Sequence, residues 1–172
     1  KSKFNKKAAK TKIEKCLKND YFIQNREWPY KNVSRKIIAE KYMVDESEYE
    51  LKDYKFFCFN GRVEYLFIAT NRNSYDETCF DFYDRNFNHL DIINGHPNSK
   101  NNLNKPQNFE LMIKLAEKLS CNIPHVRVDF YNISGEIYFG EITFYHWSGF
   151  KKFEPAIWDE KFGELIKLPN KE

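Results

Sequence analysis

Five side chains of this 172-residue sequence have the types and spacing that phosphoryl transfer requires: Lys55, Arg127, Asp129, Glu141 and Thr143. Arg127 and Asp129 lie two positions apart in VRVDFY, and Glu141 and Thr143 two apart in GEITF, so on extended strands each pair shares a face. Carboxylate and hydroxyl oxygens gathered in one place suit a hard cation such as Mg²⁺. Lys and Arg beside them can neutralise phosphate oxygens.

These residues need a hairpin to bring them together. Residues 126–149 alternate apolar and polar positions on both sides of a Ser-Gly turn signal, the pattern of an antiparallel pair. An odd-numbered loop would place Asp129, Glu141 and Thr143 on one face. A two- or four-residue turn would send Asp129 and Glu141 to opposite faces and leave two ordinary surface acids. Spacing alone does not choose between them.

A second hairpin is clearer. DYKFFCF and RVEYLFIAT flank Asn60-Gly61, whose tolerance of positive φ suits a type I′ turn. Lys55 lies on its first strand, where a lone Lys either snorkels to water or has a partner.

Around the hairpins, an amphipathic helix is expected from about Lys6 to Phe22, with Ala9, Ile13, Cys16 and Leu17 as its apolar stripe. A loop follows in which Pro29 holds Trp28 extended, then a strand from Lys36 to Val44 and an acidic break, DESEYE. Residues 71–93 contain short strand-like runs, and Ile93 to Lys105 reads as a polar loop. A helix from Asn108 to Ser120 carries Leu111, Leu115 and Leu119 as a stripe, with Asn108 as N-cap. A short terminal helix turns Trp158, Phe162, Leu165 and Ile166 inward. The class is α+β, with antiparallel sheets and flanking helices.

Sixteen Phe and eleven Tyr allow a dense core despite low hydropathy. The 28 basic and 25 acidic residues nearly balance, which speaks against a nucleic-acid partner. No apolar run reaches the roughly 20 residues of a membrane span. Cys16, Cys58, Cys79 and Cys121 lack CxxC spacing, so reduced thiols and a cytoplasmic location are expected, with Cys58 and Cys121 buried. The four His lack the spacing of a zinc site, and no P-loop, GxSxG or GxGxxG occurs.

Taken together, REWPYKNVSRKIIAEKYM, DYKFFCFNG, DFYDRNFN, HVRVDFYNISGEIYFGEITF and FGELIKL resemble the TupA-like branch of the ATP-grasp family, from about Arg26 to Leu168. The resemblance implies one ATP-grasp-like domain over residues 1–172, lacking the family's N-terminal portion. It implies ATP and Mg²⁺ as cofactors, with Glu40, Lys41, Tyr42 and Met43 as the adenine-binding hinge. Asp129, Glu141 and Thr143 would be the metal ligands, with Lys55 and Arg127 catalytic beside the phosphates. Thr143 stands where most of the family has Asn, and Tyr145-His146-Trp147-Ser148-Gly149 replaces a Thr-Pro-x-Ser-Gly-like segment.

The implied activity is MgATP-dependent carboxylate–amine ligation through an acyl phosphate. It would act in bacterial cell-surface polysaccharide biosynthesis, on a nucleotide and a small carboxylate or glycan-linked substrate. The alternatives are a glycosyltransferase of a glycan pathway and a non-catalytic nucleotide-binding remnant.

Overall fold

The computed structural model describes residues 4–47, 50–72, 77–100 and 103–169. Parts of three expected segments fall outside these residues: 48–49 in the acidic break, 73–76 in the strand-like runs and 101–102 in the polar loop. The chain divides into two compact units, Lys1–Tyr42 and Met43–Glu172.

In the first unit the expected long helix is two helices, α1 (Lys6–Lys18) and α2 (Tyr21–Asn25). Asn19 is extended, and the Asp20 side chain accepts from Phe22 N, so an N-cap interrupts the lysine-rich pattern. No residue of α1 is buried. Trp28–Tyr30 is one 3₁₀ turn rather than an extended segment, because Pro29 fits its first positions. Residues 33–44 form no strand, and Ile38 is 80% exposed. β-propensity without a pairing partner does not build a ladder.

The second unit is built on a six-stranded sheet, ordered β4-β3-β2-β1-β5-β6, in which every pairing is antiparallel. Its strands are β1 (Asp53–Phe59), β2 (Arg62–Thr70), β3 (Cys79–Asp84), β4 (His89–Leu90), β5 (His125–Ile133) and β6 (Glu136–Thr143). Helices α3 (Phe109–Leu119) and α4 (Ile157–Glu164) contribute to the cores on opposite faces. The fold is α+β, as the pattern of elements implied.

Every residue of β1 is buried, so both of its faces carry function or core. Tyr54, Phe56 and Cys58 join the α3-side core, while Phe57 and Phe59 join the α4-side core. Asp53 and Lys55 share the latter parity. The α3 stripe is not the expected one. Phe109, Met112, Ile113 and Ala116 are buried, whereas Leu111 and Leu119 are exposed and Leu115 is partly buried. Both stripes have helical spacing, and the one carrying Phe and Met presents more apolar surface to the sheet. Asn108 precedes α3 in a left-handed conformation and makes no side-chain cap; its Nδ2 donates to the Gly135 carbonyl at 2.8 Å.

Cys58 is buried as expected, but Cys121 is exposed. In α4 Phe162 is buried and Trp158 partly covered, and just after it Leu165 is partly covered and Ile166 39% exposed.

Both hairpins turn on two residues with positive φ, Asn60-Gly61 and Ser134-Gly135. The second is the even turn that should have separated Asp129 from Glu141. A β-bulge restores the match. Phe130 pairs with Phe139 but Val128 pairs with Ile142, so Asp129 faces both Gly140 and Glu141. Beyond the bulge, odd residues of β5 face odd residues of β6. A Cβ on Gly140 would lie 3.0 Å from the Asp129 carbonyl oxygen. Gly140→Ala is therefore expected to cost about 1–3 kcal/mol in urea unfolding, the range for overpacking; a change below about 0.5 kcal/mol would show that the bulge has room for a methyl group.

Candidate functional site

The bulge turns Glu141 and Thr143 to the face that already holds Arg127 and Asp129, and the Arg127 guanidinium joins them. Its Nε and Nη2 donate to Asp129 Oδ1 and Oδ2, each at 2.8 Å, a bidentate pair. Nη2 also donates to Glu141 Oε1 and Thr143 Oγ1, both at 3.0 Å. Arg127 is 7% exposed and Asp129 1%, while the Glu141 side chain is 60% exposed. The cluster is thus rooted in the sheet and opens to solvent at Glu141.

Lys55 pairs with Asp129 across the β1–β5 ladder. Its ammonium contacts Asp129, lies 2.7 Å from Asp53 Oδ2 and 3.8 Å from Glu141 Oε1. Arg72 donates to the same Asp53 oxygen at 2.7 Å. Three cations therefore face three carboxylates: Lys55, Arg72 and Arg127 against Asp53, Asp129 and Glu141. Burial would lower the Arg127 pKa, but hydrogen bonding to Asp129 and the nearby carboxylates raise it above its ordinary value, so the guanidinium stays charged. Burial pushes the Asp53 carboxyl up against the pull of Lys55, and the Asp129 charge adds to the rise. Asp53 Oδ1 is buried with no hydrogen-bond partner among the described residues.

The far side of Arg127 is closed by a loop. Nη1 lies 2.6 Å from His146 Nδ1, and His146 Nε2 lies 2.8 Å from Asn94 Oδ1. The His146 ring sits against Phe57 and Phe67, at centroid distances of 5.1 and 5.4 Å. After it, Trp147 and Ser148 have left-handed φ of 49° and 55°, so the segment is a strained turn rather than a regular helix. Beyond His146, a cavity of about 570 Å³ opens between the sheet and the C-terminal segment, lined by Phe59, His125 and Phe162 among others.

Of the residues expected at the site, Lys55, Arg127, Asp129, Glu141 and Thr143 come together. Glu40, Lys41 and Tyr42 are exposed and Met43 is half-buried, on a segment without the expected strand. Asp53, Arg72, Asn94 and His146 were not anticipated. Asp53 alone had a signal, its i,i+2 spacing to Lys55. The oxygens of Asp129, Glu141 and Thr143 form the hard donor set that Mg²⁺ takes, so the residues fit a divalent cation, although Lys55 and Arg127 engage the same oxygens. Among the described residues no three His, Cys, Asp or Glu side chains form a metal-binding cluster by themselves. A site on these residues would therefore draw on Thr143 and on ligand oxygens as well.

The antiparallel sheet carries its paired carboxylates and cations on one face, beside the bulge in its β5–β6 edge hairpin. Residues 1–167 match the family described as TupA-like ATPgrasp, and the chain belongs to that family. Its members generally bind ATP and Mg²⁺. No curated protein matches the chain, and no solved structure does. Among the described residues no helix is long and apolar enough to cross a membrane.

Burial lowers the His146 pKa to about 2, and the charges of Arg127 and Lys55 add to the effect. A pKa lowered by folding stabilises above the unfolded value near 6.5 and loses that contribution as pH falls. Between pH 7 and pH 5 the wild-type chain is expected to lose roughly 2 kcal/mol more stability than His146→Asn. Urea melts of both proteins at the two pH values measure this; parallel losses would contradict it.

Proposed function

We propose that this chain binds MgATP at the Arg127 cluster and serves carboxylate–amine ligation through an acyl phosphate. The observation that carries the reading is the convergence of Arg127, Lys55, Asp129, Glu141 and Thr143 on one sheet face, which depends on the bulge at Gly140-Glu141. Asp129, Glu141 and Thr143 would hold Mg²⁺, which when bound offsets phosphate charge during phosphoryl transfer. Lys55 and Arg127 Nη2 would exchange Glu141 for phosphate oxygens while Asp129 keeps its hold on the guanidinium, with Glu141 at the exposed edge where a nucleotide arrives. Glu40, Lys41, Tyr42 and Met43 remain the proposed adenine hinge, supported by the family resemblance. The same resemblance supports a glycan-linked or small carboxylate substrate in cell-surface polysaccharide synthesis, and a cytoplasmic location fits a reaction that consumes ATP.

The choice of variant follows from burial. Asp129→Asn would leave Lys55 and Arg127 poorly paired in the sheet, which costs several kcal/mol by itself. Glu141→Gln, at the solvent edge, tests binding without that complication. ATP with Mg²⁺ is expected to raise the melting temperature by mass action, UDP-sugars to leave it unchanged, and Glu141→Gln to weaken MgATP binding at least tenfold with little change in the unliganded melt. Equal MgATP binding by wild type and Glu141→Gln would reject this site.

A further inference from the structure

The His146 ring has only one protonation state that satisfies its neighbours. Arg127 Nη1 carries hydrogens and no lone pair, so His146 Nδ1, 2.6 Å away, must accept. On the other side, Asn94 Nδ2 donates to the backbone carbonyls of Lys152 at 3.0 Å and Lys151 at 3.3 Å. Carbonyls only accept, so the Asn94 amide is oriented with Oδ1 toward the ring, and His146 Nε2–H must donate to it at 2.8 Å. The ring is therefore neutral and protonated on Nε2. An imidazolium would set one donor against another at Nη1.

The parts of this relay are held firmly. Asn94 is fully buried, and its neighbour Ile93 exchanges backbone hydrogen bonds with Glu154, both at 2.9 Å, which fixes the carbonyls of 151–152 nearby. Gly95, with φ of 83°, lies under the Trp147 ring, where a Cβ would come within 3.2 Å of Cζ2. The loop after β4 and the loop after β6 are thereby packed against each other on either side of the relay.

Asp129 holds the guanidinium by its Nε and Nη2 edge, and His146 holds it at Nη1. With both sides fixed, Nη2 has one direction left, toward Glu141 Oε1 and Thr143 Oγ1. We propose that His146 is a positioning residue for Arg127: oriented by Asn94, it accepts from Nη1 and keeps Nη2 directed at the Glu141 and Thr143 edge, where phosphate would be met. The role in binding rests on the proposed MgATP site; the restraint on Arg127 does not.

The test separates the two. In the wild-type chain with ¹⁵N-labelled histidine and arginine, the His146 ring is expected to give the Nε2–H tautomer at pH 7, and Arg127 to give distinct Nη1 and Nη2 resonances because rotation is hindered. His146→Leu removes the acceptor and is expected to free rotation about Cζ–Nη1 and average the two Nη1–H signals, while the Nε–H and Nη2–H signals held by Asp129 persist. MgATP affinity should then fall about 10- to 100-fold, as when an orienting partner is removed. In His146→Asn, whose Oδ1 can stand in for Nδ1, distinct Nη signals and most of the affinity should return. An Nδ1–H or imidazolium form in the wild type would overturn the proposal, as would unchanged Nη signals in folded His146→Leu. If His146→Leu does not fold, the wild-type tautomer and the Nη signals of His146→Asn decide. If the wild type does not bind MgATP, the nucleotide reading falls, and the arginine signals still decide the restraint.

Discussion

A single guanidinium, that of Arg127, sets the terms for the second unit. A charged group 7% exposed inside a sheet is tolerated only when its donors are met by well-placed acceptors, since an unpaired buried charge is far more costly than a paired one. Meeting those donors takes parts from distant places in the chain. Asp129 comes from the same strand, Glu141 and Thr143 from β6 by way of a bulge, and His146 from the loop beyond. Gly140 is the residue whose missing side chain lets β6 approach the Asp129 carbonyl there. Lys55 completes the arrangement from β1, the strand buried on both faces.

Short-range pairings were the legible part of this design. The i,i+2 relations of Arg127 to Asp129 and of Glu141 to Thr143 follow from strand pleating, and Asn60-Gly61 announces its turn by the φ it needs. Parity across β5 and β6 was not legible. A count of turn residues calls for an odd loop, yet Ser134-Gly135 is an even turn, and the bulge begins at the fifth residue of β6. A bulge leaves little trace in sequence beyond one glycine in a strand, and Gly140 was that trace. The lysine's partner lay 74 residues away, a separation that no local pattern encodes. Asn94 and His146 had even less signal, because a relay of single hydrogen bonds needs no spacing motif.

The misread elements share a cause. Residues 36–44 have strand-forming types, but a strand is a property of a pair, and the expectation considered one segment alone. Along α3, both the Leu111-Leu115-Leu119 row and the Phe109-Met112-Ile113-Ala116 row have helical spacing, and the sheet rather than the helix decides which is covered. In the first unit the lysine periodicity runs through Asn19 and Asp20, where a local side-chain cap outweighs it. In each case an interaction across the chain, or a specific hydrogen bond, overrides a periodicity that was correctly read.

The balance of charge at the site argues for its proposed use. Buried ion pairs contribute little to stability compared with apolar residues of the same volume, so three carboxylates and three cations on one face are poorly explained as a device for folding. Their arrangement makes better sense as a resting set of partners. Phosphate oxygens entering at Glu141 would draw Arg127 Nη2 and Lys55 away from that carboxylate, which would then be free to take a divalent cation together with the outward lone pairs of Asp129. The exchange replaces one set of charge pairs with another and leaves no buried charge uncompensated at its end. The asymmetry of exposure agrees with this. Asp53 and Asp129 are enclosed in the sheet, whereas Glu141, which like Asp129 pairs with both Lys55 and Arg127, stands at the water-facing edge. Rearrangement can therefore take place where solvent still screens the charges, while the buried pair of Arg127 with Asp129 stays in place.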